Sequence, residues 1–270
     1  MSDTFDILII GGGLAGTSAA LTCLNRGKTV GVITNPPETS SLYKAEMVTN
    51  YPGLTMTGKE MAMLFRKQLD ESGAEIIEGR ALSAMVMDGS VGVAVGNDFY
   101  MSKALIIAAG ITRDNLYPGE SEFLGRGVSY CATCDGMLYR GKTVALIGNS
   151  AEAEQDVKFL RDIGCNVIHL SRPGRAEITG ESKAAKLKYA GEEYDVDCVF
   201  IIKDTVSVQN LVPGLEYERG GIVTDRNMAT NVPGVFAAGD CAGKPFQLAK
   251  AAGEGNVAAL SACEYIDGNK

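Results

Sequence analysis

The chain has 270 residues and a formal net charge of −8 at pH 7, which argues against a general nucleic-acid-binding protein. Hydrophobic residues make up 46% of the sequence, with 33 glycines and no tryptophan, as is typical of a compact α/β protein of about two domains. No apolar run is long enough to cross a bilayer, and the acidic start MSDTFD does not resemble a signal peptide. The seven cysteines are odd in number and mostly isolated, unlike a secreted disulfide framework, so we expect a cytoplasmic protein without a membrane partner.

Two segments repeat one design along the chain. Residues 5–16 read FDILIIGGGLAG and residues 142–153 read KTVALIGNSAEA, each an apolar strand followed by a glycine turn and a helix-like stretch. From the first glycine of each turn, 16 residues lead to another glycine and 23 lead to the end of the next strand, at Thr34 and at Ser171. Two βαβ units in matching register predict an α/β fold with two Rossmann-like, three-layer domains.

The first of these turns carries a complete Gly-x-Gly-x-x-Gly pattern. Gly11 permits the tight turn, Gly13 lets the backbone approach a pyrophosphate, and Gly16 allows the helix to pack on the strand. The alternative is a glycine-rich turn without a ligand. The acid expected after the second strand is absent, because Thr34 and Asn35 stand there. Ribose recognition therefore comes from elsewhere, or the nucleotide is not NAD.

Two later strands also end at glycines. Residues 104–110 read ALIIAAG, and residues 232–243 read VPGVFAAGDCAG, with Asp240 directly after the second strand. An acid in that place either accepts hydrogen bonds from a polyol chain or caps the helix predicted to follow. Gly253 and Gly255, near the start of that helix, predict a close approach of the backbone to a large planar group.

A Cys-x-x-Cys pair lies in SYCATCDGM, residues 129–137. Such a pair binds a metal, staples a loop or carries two electrons. Zinc needs two more ligands, yet His169 is the single histidine of the chain and there is no second Cys-x-x-Cys, so we expect no metal. A thiol at a helix start is readily activated, which favours redox chemistry at Cys131 and Cys134. The other cysteines stand in apolar contexts and are predicted to be buried structural residues: Cys23, Cys165, Cys198, Cys241 and Cys263.

Taken together, the motifs resemble one family over essentially the whole chain, the low-molecular-weight thioredoxin reductases, which are FAD-containing disulfide oxidoreductases. The segments that carry the resemblance are GGGLAG at 11–16, NYPG at 50–53, AAG at 108–110, GRGVSYCATCDG at 125–136 and VPGVFAAGD at 232–240. It implies a discontinuous FAD-binding domain of residues 1–114 and 220–270. A redox-active domain of residues 115–219, a shortened and degenerate NADPH-type domain, would be inserted between them. It also implies thioredoxin as electron acceptor and a homodimer.

The resemblance further assigns roles to individual positions. Cys134 would face the flavin, Cys131 would attack the thioredoxin disulfide, and Asp135 would act as the acid/base group. The residues implied to cradle the FAD diphosphate are Gly11, Gly13, Leu14, Ala15 and Gly16. The other implied FAD contacts are Thr34 near the adenosine ribose, Ala81 near the adenine, Asn50 near the isoalloxazine, Asp240 at the ribitol, Gln247 and Leu248 at the flavin ring edge, and the strand-end glycines Gly110 and Gly239.

The second glycine turn departs from the family pattern for NADPH, which is Gly-x-Gly-x-x-Ala followed by a His-Arg-Arg-x-x-x-Arg cluster. Ser150 replaces the second glycine, and at most Arg172 and Arg175 remain of the cluster. KDTV at 203–206 replaces a later Gly-x-x-Pro stretch, and residues 171–196 form a short segment with little strand pattern. These departures predict that pyridine-nucleotide binding has been lost.

A subgroup of compact relatives lacks the NADPH motifs in the same way, the flavin-type ferredoxin:thioredoxin reductases, and reduced ferredoxin is therefore the electron donor that we expect. Phe246 replaces an arginine beside the implied flavin and would either shield the ring or simply pack. Residues 158–188 hold seven basic side chains against three acidic ones, a local charge of +4 that either docks ferredoxin or is an ordinary solvated surface.

Two alternatives stay open at this point. One is an NADPH-dependent thioredoxin reductase with a degenerate nucleotide site. The other is a dithiol oxidase of the same fold, or a flavoprotein that binds a partner without turnover.

Overall fold

The computed structural model describes residues 4–87, 89–110, 117–129, 132–171, 174–202, 208–218 and 220–268, with the backbone alone at positions 121, 134, 151, 152 and 209. The chain divides into two compact units: unit 1 is Met1–Thr112 with Ser207–Lys270, and unit 2 is Arg113–Val206. Within the described ranges, no helix is both long and apolar enough to span a membrane. The predicted FAD-binding and redox-active domains, with limits at 114–115 and 219–220, stay predictions.

Unit 1 begins with a βαβ segment and ends with its longest helix. Its N-terminal part contains β1 Thr4–Ile10, α1 Leu14–Asn25, β2 Val30–Thr34, a 3-10 turn Pro37–Thr39, β3 Val48–Tyr51, β4 Leu54–Met56, α2 Gly58–Asp70, β5 Glu75–Glu78, β6 Ala81–Met87, β7 Ser90–Val95 and β8 Asp98–Ile107. Unit 2 and then the C-terminal part of unit 1 follow.

Unit 2 contains α3 Glu120–Phe123, β9 Val128–Ser129, α4 Ala132–Asp135, a 3-10 turn Gly136–Tyr139, β10 Thr143–Ile147, α5 Ala151–Asp162, β11 Asn166–Leu170, β12 Ala176–Gly180, β13 Ala184–Tyr189, β14 Glu192–Asp195 and β15 Cys198–Ile201. The C-terminal part of unit 1 contains a 3-10 turn Val208–Asn210, β16 Tyr217–Glu218, β17 Gly221–Ile222, β18 Val235–Ala237, a 3-10 turn Gly239–Ala242 and α6 Leu248–Gly268.

The main sheet of unit 1 has the order β5-β2-β1-β8-β7-β6, with β18 also paired to β8. β5, β2, β1, β8 and β18 run parallel, whereas β6, β7 and β8 form an antiparallel meander. Alternate side chains of β1 serve opposite faces of the sheet: Ile7 and Ile9 pack with α1 and α6, and Leu8 and Ile10 pack in the cluster on the other face. This period of two explains why the apolar run of β1 is buried on both sides.

Unit 2 has a smaller parallel sheet in the order β11-β10-β15-β9. On β10, Val144 and Leu146 pack with α5, while Ala145 and Ile147 pack with β12 and β13. Each unit thus contains a parallel sheet between two packed layers, which confirms the prediction of an α/β fold with two Rossmann-like domains, the second of them shortened.

The prediction of little strand structure between residues 171 and 196 is wrong. This segment holds the three-stranded antiparallel sheet β12-β13-β14. Its inward side chains are few, since Ala176 and Ile178 on β12 and Leu187 and Tyr189 on β13 supply most of the buried surface. The intervening positions are charged or small, so the sheet has one apolar face and the strands lack the long apolar run that marks a buried strand.

Candidate functional site

The glycine turn after β1 is built from contacts that only glycine allows. Gly11 has φ +110°, and a Cβ there would lie 2.2 Å from the carbonyl oxygen of Ala108. A Cβ on Gly16 would lie 1.7 Å from the carbonyl oxygen of Gly11. Both distances are far below van der Waals contact, so these two glycines pack α1 against the ends of β1 and β8.

The N-terminus of α1 differs from that turn, because it has free space in front of it. Gly13 is the N-cap and supplies no side-chain cap, and a Cβ on Gly13 would meet nothing within 4 Å. Leu14 and Ala15 follow in the first turn with their side chains buried, so the backbone is what faces outward. The first amide groups of a helix lack intrahelical partners and carry the positive end of the helix dipole, so this terminus suits a diphosphate.

Thr34 and Ala81 occupy defined places near this turn. The Thr34 Oγ1 accepts a hydrogen bond from the Gly12 amide at 3.1 Å and donates one to the Asn35 carbonyl at 3.1 Å. It therefore shapes the glycine turn through the backbone. The side chain of Ala81 is buried in the core at the start of β6, so only its backbone is available to a ligand.

Asp240 lies in the short 3-10 turn that follows β18. Desolvation by partial burial raises the pKa of the Asp240 carboxyl above its ordinary value; Lys250 opposes that rise, and Glu254 adds to it. Gly239, at φ +80°, lets the chain turn away from the strand, and Gly110, three residues after the end of β8, has φ +71°. The carboxylate is thus presented beside two strand ends.

The predicted ring-edge residues lie together although they are far apart in sequence. The Asn50 side-chain amide donates to the Gln247 side-chain oxygen at 2.9 Å. Leu248, at the start of α6, packs on a cluster that contains Leu14 of α1. Phe246 is 41% exposed, and the choice between shielding the flavin and simple packing stays open.

The close approach predicted for Gly255 exists, but its partner is not a planar ligand. A Cβ on Gly255 would lie 2.1 Å from the carbonyl oxygen of Ala15, so the glycine allows α6 to cross α1 at close range. The prediction of a planar group at Gly255 is therefore wrong. A Cβ on Gly253 would meet nothing within 4 Å, and the prediction for Gly253 stays open.

In unit 2, the predicted acid/base residue has a partner that the sequence reading missed. The Ser129 hydroxyl donates to the Asp135 carboxylate at 2.7 Å, and Ser129 is buried. Ser129 ends β9 and Asp135 ends α4, so these two elements hold the pair. The sequence does contain a signal for this pair, because Ser129 is a polar residue at the end of a strand, two positions before Cys131. Cys131 and the side chain of Cys134 lie outside the described residues.

The five remaining cysteines are all buried free thiols, which confirms their prediction: Cys23, Cys165, Cys198, Cys241 and Cys263. Burial raises the pKa of Cys198 to about 12 and that of Cys241 to about 11. Such thiols stay protonated at neutral pH and are poor nucleophiles. Among the described side chains, no group of three or more potential metal ligands is present.

The second glycine turn ends in a helix that is capped by its own chain. Ser150 is the N-cap of α5, and its Oγ accepts a hydrogen bond from the Ala153 amide at 3.1 Å. The carbonyl of Gly148 lies 3.0 Å from the His169 Nε2, which places the only histidine against the same turn. Arg172 and residues 203–206 lie outside the described part of the chain. The serine side chain therefore satisfies one of the first amides of α5, whereas the N-cap of α1 supplies no such hydrogen bond.

The basic segment of residues 158–188 is partly neutralised by acids that surround it. Lys186 lies 2.6 Å from Glu193 on β14, and Lys183 lies 4.0 Å from Asp197. A further ion pair joins Lys188 to Glu177 at 3.9 Å. These contacts favour the interpretation of β13 as an ordinary solvated surface, since the count of charges along the sequence leaves out the acids of β14.

Comparisons with known proteins agree on one family. The family model described as pyridine nucleotide-disulphide oxidoreductase matches residues 5–177 and 174–255. The thioredoxin reductase of Treponema pallidum is 32% identical, with 99% of each chain covered. Two crystal structures of a ferredoxin-flavin thioredoxin reductase from Clostridium acetobutylicum are similar to this chain: one is 37% identical with a TM-score of 0.81 and covers 99% of each chain, and the other is 36% identical with a TM-score of 0.85 and covers 98% of each.

Proposed function

Because the chain belongs to the pyridine nucleotide-disulphide oxidoreductase family, as a flavin disulfide oxidoreductase of the thioredoxin reductase type, we propose that it reduces thioredoxin with electrons from reduced ferredoxin. FAD and the Cys131–Cys134 pair carry these electrons. The proposed acceptor and donor both match the names of the Clostridium acetobutylicum proteins.

The observation that carries this proposal is the difference between the two helix N-termini. In unit 1, the N-cap is Gly13, without a side-chain cap, and the space before α1 is open. In unit 2, the N-cap is Ser150, whose hydroxyl already binds an amide of α5. Glu154, in the next turn of α5, is exposed and adds negative charge near this end. The α1 terminus is thus free of a side-chain cap, whereas one amide of the α5 terminus is already engaged and an acid lies near it, which favours a pyrophosphate in unit 1 over unit 2.

The residues of unit 1 fit FAD. The α1 N-terminus suits its diphosphate, the Asp240 carboxylate suits hydroxyl groups of a polyol, and the Asn50–Gln247 pair offers amide groups to a ring edge. When bound, FAD supplies a centre that accepts electrons one at a time and delivers two. This property is what a one-electron donor such as ferredoxin requires.

The dithiol chemistry follows from the two cysteines and their acid. The Cys131 thiolate attacks one sulfur of the thioredoxin disulfide, which forms a mixed disulfide and releases a thioredoxin thiolate that takes a proton. The Cys134 thiolate then attacks Cys131, which releases dithiol thioredoxin and leaves the Cys131–Cys134 disulfide. Two electrons and two protons restore the dithiol. Asp135, held by the Ser129 hydroxyl, exchanges the proton at this site.

The donor is tested by following flavin absorbance under anaerobic conditions. We expect NADPH and NADH to leave the flavin oxidised and photoreduced ferredoxin to reduce it fully. Addition of oxidised thioredoxin should then reoxidise the flavin and yield two thiols per thioredoxin. The matched control is a conventional NADPH-dependent thioredoxin reductase under the same conditions.

Each other result of this experiment contradicts the proposal. Rapid reduction of the flavin by NADPH would support a conventional reductase with a degenerate site. Reduction by ferredoxin without any reduction of thioredoxin would support the dithiol oxidase or the binding partner without turnover.

The residues that follow the Cys-x-x-Cys segment along the chain offer a test of the acceptor. Met137 is 56% exposed and Leu138 is 69% exposed, in the 3-10 turn that directly follows Asp135. Exposed apolar side chains at a redox pair suit a protein substrate, and one central contact contributes more than about 1 kcal/mol. We therefore expect Leu138→Glu to raise the KM for thioredoxin about tenfold.

The control for this variant is Met85→Glu, which changes another exposed apolar residue, 50% exposed, on β6 of unit 1. Both variants should accept electrons from ferredoxin at the wild-type rate. An unchanged KM for thioredoxin in Leu138→Glu, or an equal rise in Met85→Glu, would rule out this docking surface. The homodimer and the cytoplasmic location stay predictions.

A further inference from the structure

Helix α6 connects two parts of the candidate flavin site within unit 1. Gly255 brings it against the carbonyl of Ala15 in α1, and the Ser18 hydroxyl donates to the Ala252 carbonyl at 2.7 Å. The same helix contacts the turn of residues 239–243 that carries Asp240. Helix α6 thus contacts both α1, whose N-terminus is the proposed diphosphate site, and the turn that carries Asp240.

Lys250 makes the main link from α6 to the Asp240 turn. Its ammonium lies 2.8 Å from the Gly239 carbonyl, 2.6 Å from the Gly243 carbonyl and 2.9 Å from the Glu254 carboxylate. The lysine side chain is only 15% exposed. An ammonium group has three N–H donors, and these three acceptors match them in number. Two of the acceptors are the carbonyls at the two ends of the turn.

Glu254 completes the link from the other side. Its Oε2 accepts from the Gly239 amide at 2.9 Å and also pairs with Lys250. Gly239 therefore contacts the ammonium through its carbonyl and the carboxylate through its amide. An ordinary i,i+4 ion pair on a helix surface faces water, whereas this pair is directed at the backbone of one turn.

We propose that Lys250 and Glu254 are positioning residues that hold the turn of residues 239–243, and with it Asp240, in the geometry that binds the polyol chain of FAD. This role rests on the proposed FAD site. Lys250 acts through two carbonyls and Glu254 through one amide, and neither residue touches the cofactor in this role. A further contribution is electrostatic, because Lys250 opposes and Glu254 favours protonation of Asp240.

The test compares substitutions of Lys250 that differ in charge and donors. FAD is removed from the full-length protein, and its Kd is measured by titration for Lys250→Met and Lys250→Arg. We expect Lys250→Met to raise the Kd about tenfold or more, because hydrogen bonds from a charged group are worth about this factor. Lys250→Arg keeps the charge and the donors and should restore affinity to within a few fold of wild type.

The matched control is Lys28→Met, which removes the same side chain from a second ion pair of α6. Lys28 binds Asp267 at 2.6 Å near the far end of the helix, so its loss should leave the Kd for FAD unchanged. The melting temperature of each flavin-free variant separates a loss of folding from a loss of binding. If Lys250→Met does not fold, Glu254→Gln is measured in its place, and its Kd for FAD is expected to be higher than that of the wild type.

Two results would overturn the role of Lys250. One is a Kd of Lys250→Met within twofold of wild type. The other is a Kd of Lys250→Arg as weak as that of Lys250→Met, since charge and donors would then not matter. The titration uses no ferredoxin, NADPH or thioredoxin. Failure of the wild-type protein to bind FAD would therefore contradict the proposed function. Tight binding of FAD by Lys250→Met would contradict only the role of Lys250.

Discussion

Cys131→Ser is expected to abolish thioredoxin reduction, and Cys134→Ser is expected to accumulate a covalent adduct with thioredoxin. The two variants differ because disulfide exchange needs an attacking thiolate first and a resolving thiolate second. Without Cys131 no mixed disulfide forms. Without Cys134 the mixed disulfide forms, and the only thiolate left to attack it is the second one of thioredoxin, so the adduct persists when that cysteine is absent. Loss of turnover in both variants should exceed the effect of any surface substitution, since the five cysteines whose side chains are described are all buried and cannot replace the pair.

Each reduced variant is mixed with a thioredoxin that keeps one cysteine, activated as a mixed disulfide with thionitrobenzoate, so that attack releases thionitrobenzoate and no second thioredoxin thiol can reverse it. The adduct is then measured by mass spectrometry, and the linked cysteine is identified by peptide mapping. Cys263→Ser is the control, because it removes a buried thiol of unit 1 and should leave turnover intact. An adduct on Cys134 in the Cys131→Ser variant would reverse the assignment of the two cysteines. An unchanged turnover in either variant would exclude the pair from the reaction.

Gly13→Ala is expected to lose FAD binding while the protein keeps its fold. A Cβ at this position meets no protein atom within 4 Å, and the backbone of Gly13 has φ −74°, which any residue adopts. The added methyl group instead occupies the space where a diphosphate approaches the helix terminus. We expect the Kd for FAD to rise by about a hundredfold, with a cost to folding of at most about 1 kcal/mol for the poorer N-cap.

Two other glycine variants serve as controls for Gly13→Ala, one expected to disrupt folding and one expected to have no effect. Gly16→Ala should disrupt folding itself, because its Cβ would lie 1.7 Å from the Gly11 carbonyl oxygen. Gly268→Ala, at the end of α6, adds a methyl group in open space and should change neither property. The measurements are FAD titration and the circular dichroism of each flavin-free protein. Wild-type affinity in a folded Gly13→Ala protein would show that the α1 terminus does not bind the diphosphate.

Features that depend on short stretches of sequence were predictable. β1, α1 and β2 follow from an apolar run, a glycine turn and a helix pattern, because each is determined by neighbours within a few residues. Burial of Cys23 and Cys241 followed in the same way from their apolar context. β12, β13 and β14 were missed because their one-sided burial leaves few apolar residues in each strand.

Contacts between distant segments were not predictable in the same way. Gly255 looked like a ligand contact, yet it meets Ala15, about 240 positions earlier in the chain. Ser129 was overlooked because its hydrogen bond to Asp135 joins the end of a strand to a short helix. The charges on β13 looked unbalanced because the acids of β14 come next to them only when the strands pair.

The sequence by itself determined the family, the two βαβ units, the Cys-x-x-Cys spacing and the departure of the second turn from Gly-x-Gly. These features rest on residue identity at fixed spacing, which is a local property of the chain. Only the tertiary structure decided that the Ser150 hydroxyl caps α5 and that Lys250 and Glu254 hold the Asp240 turn. Such roles depend on which donor reaches which acceptor, and the folding of the backbone brings those atoms within hydrogen-bonding distance.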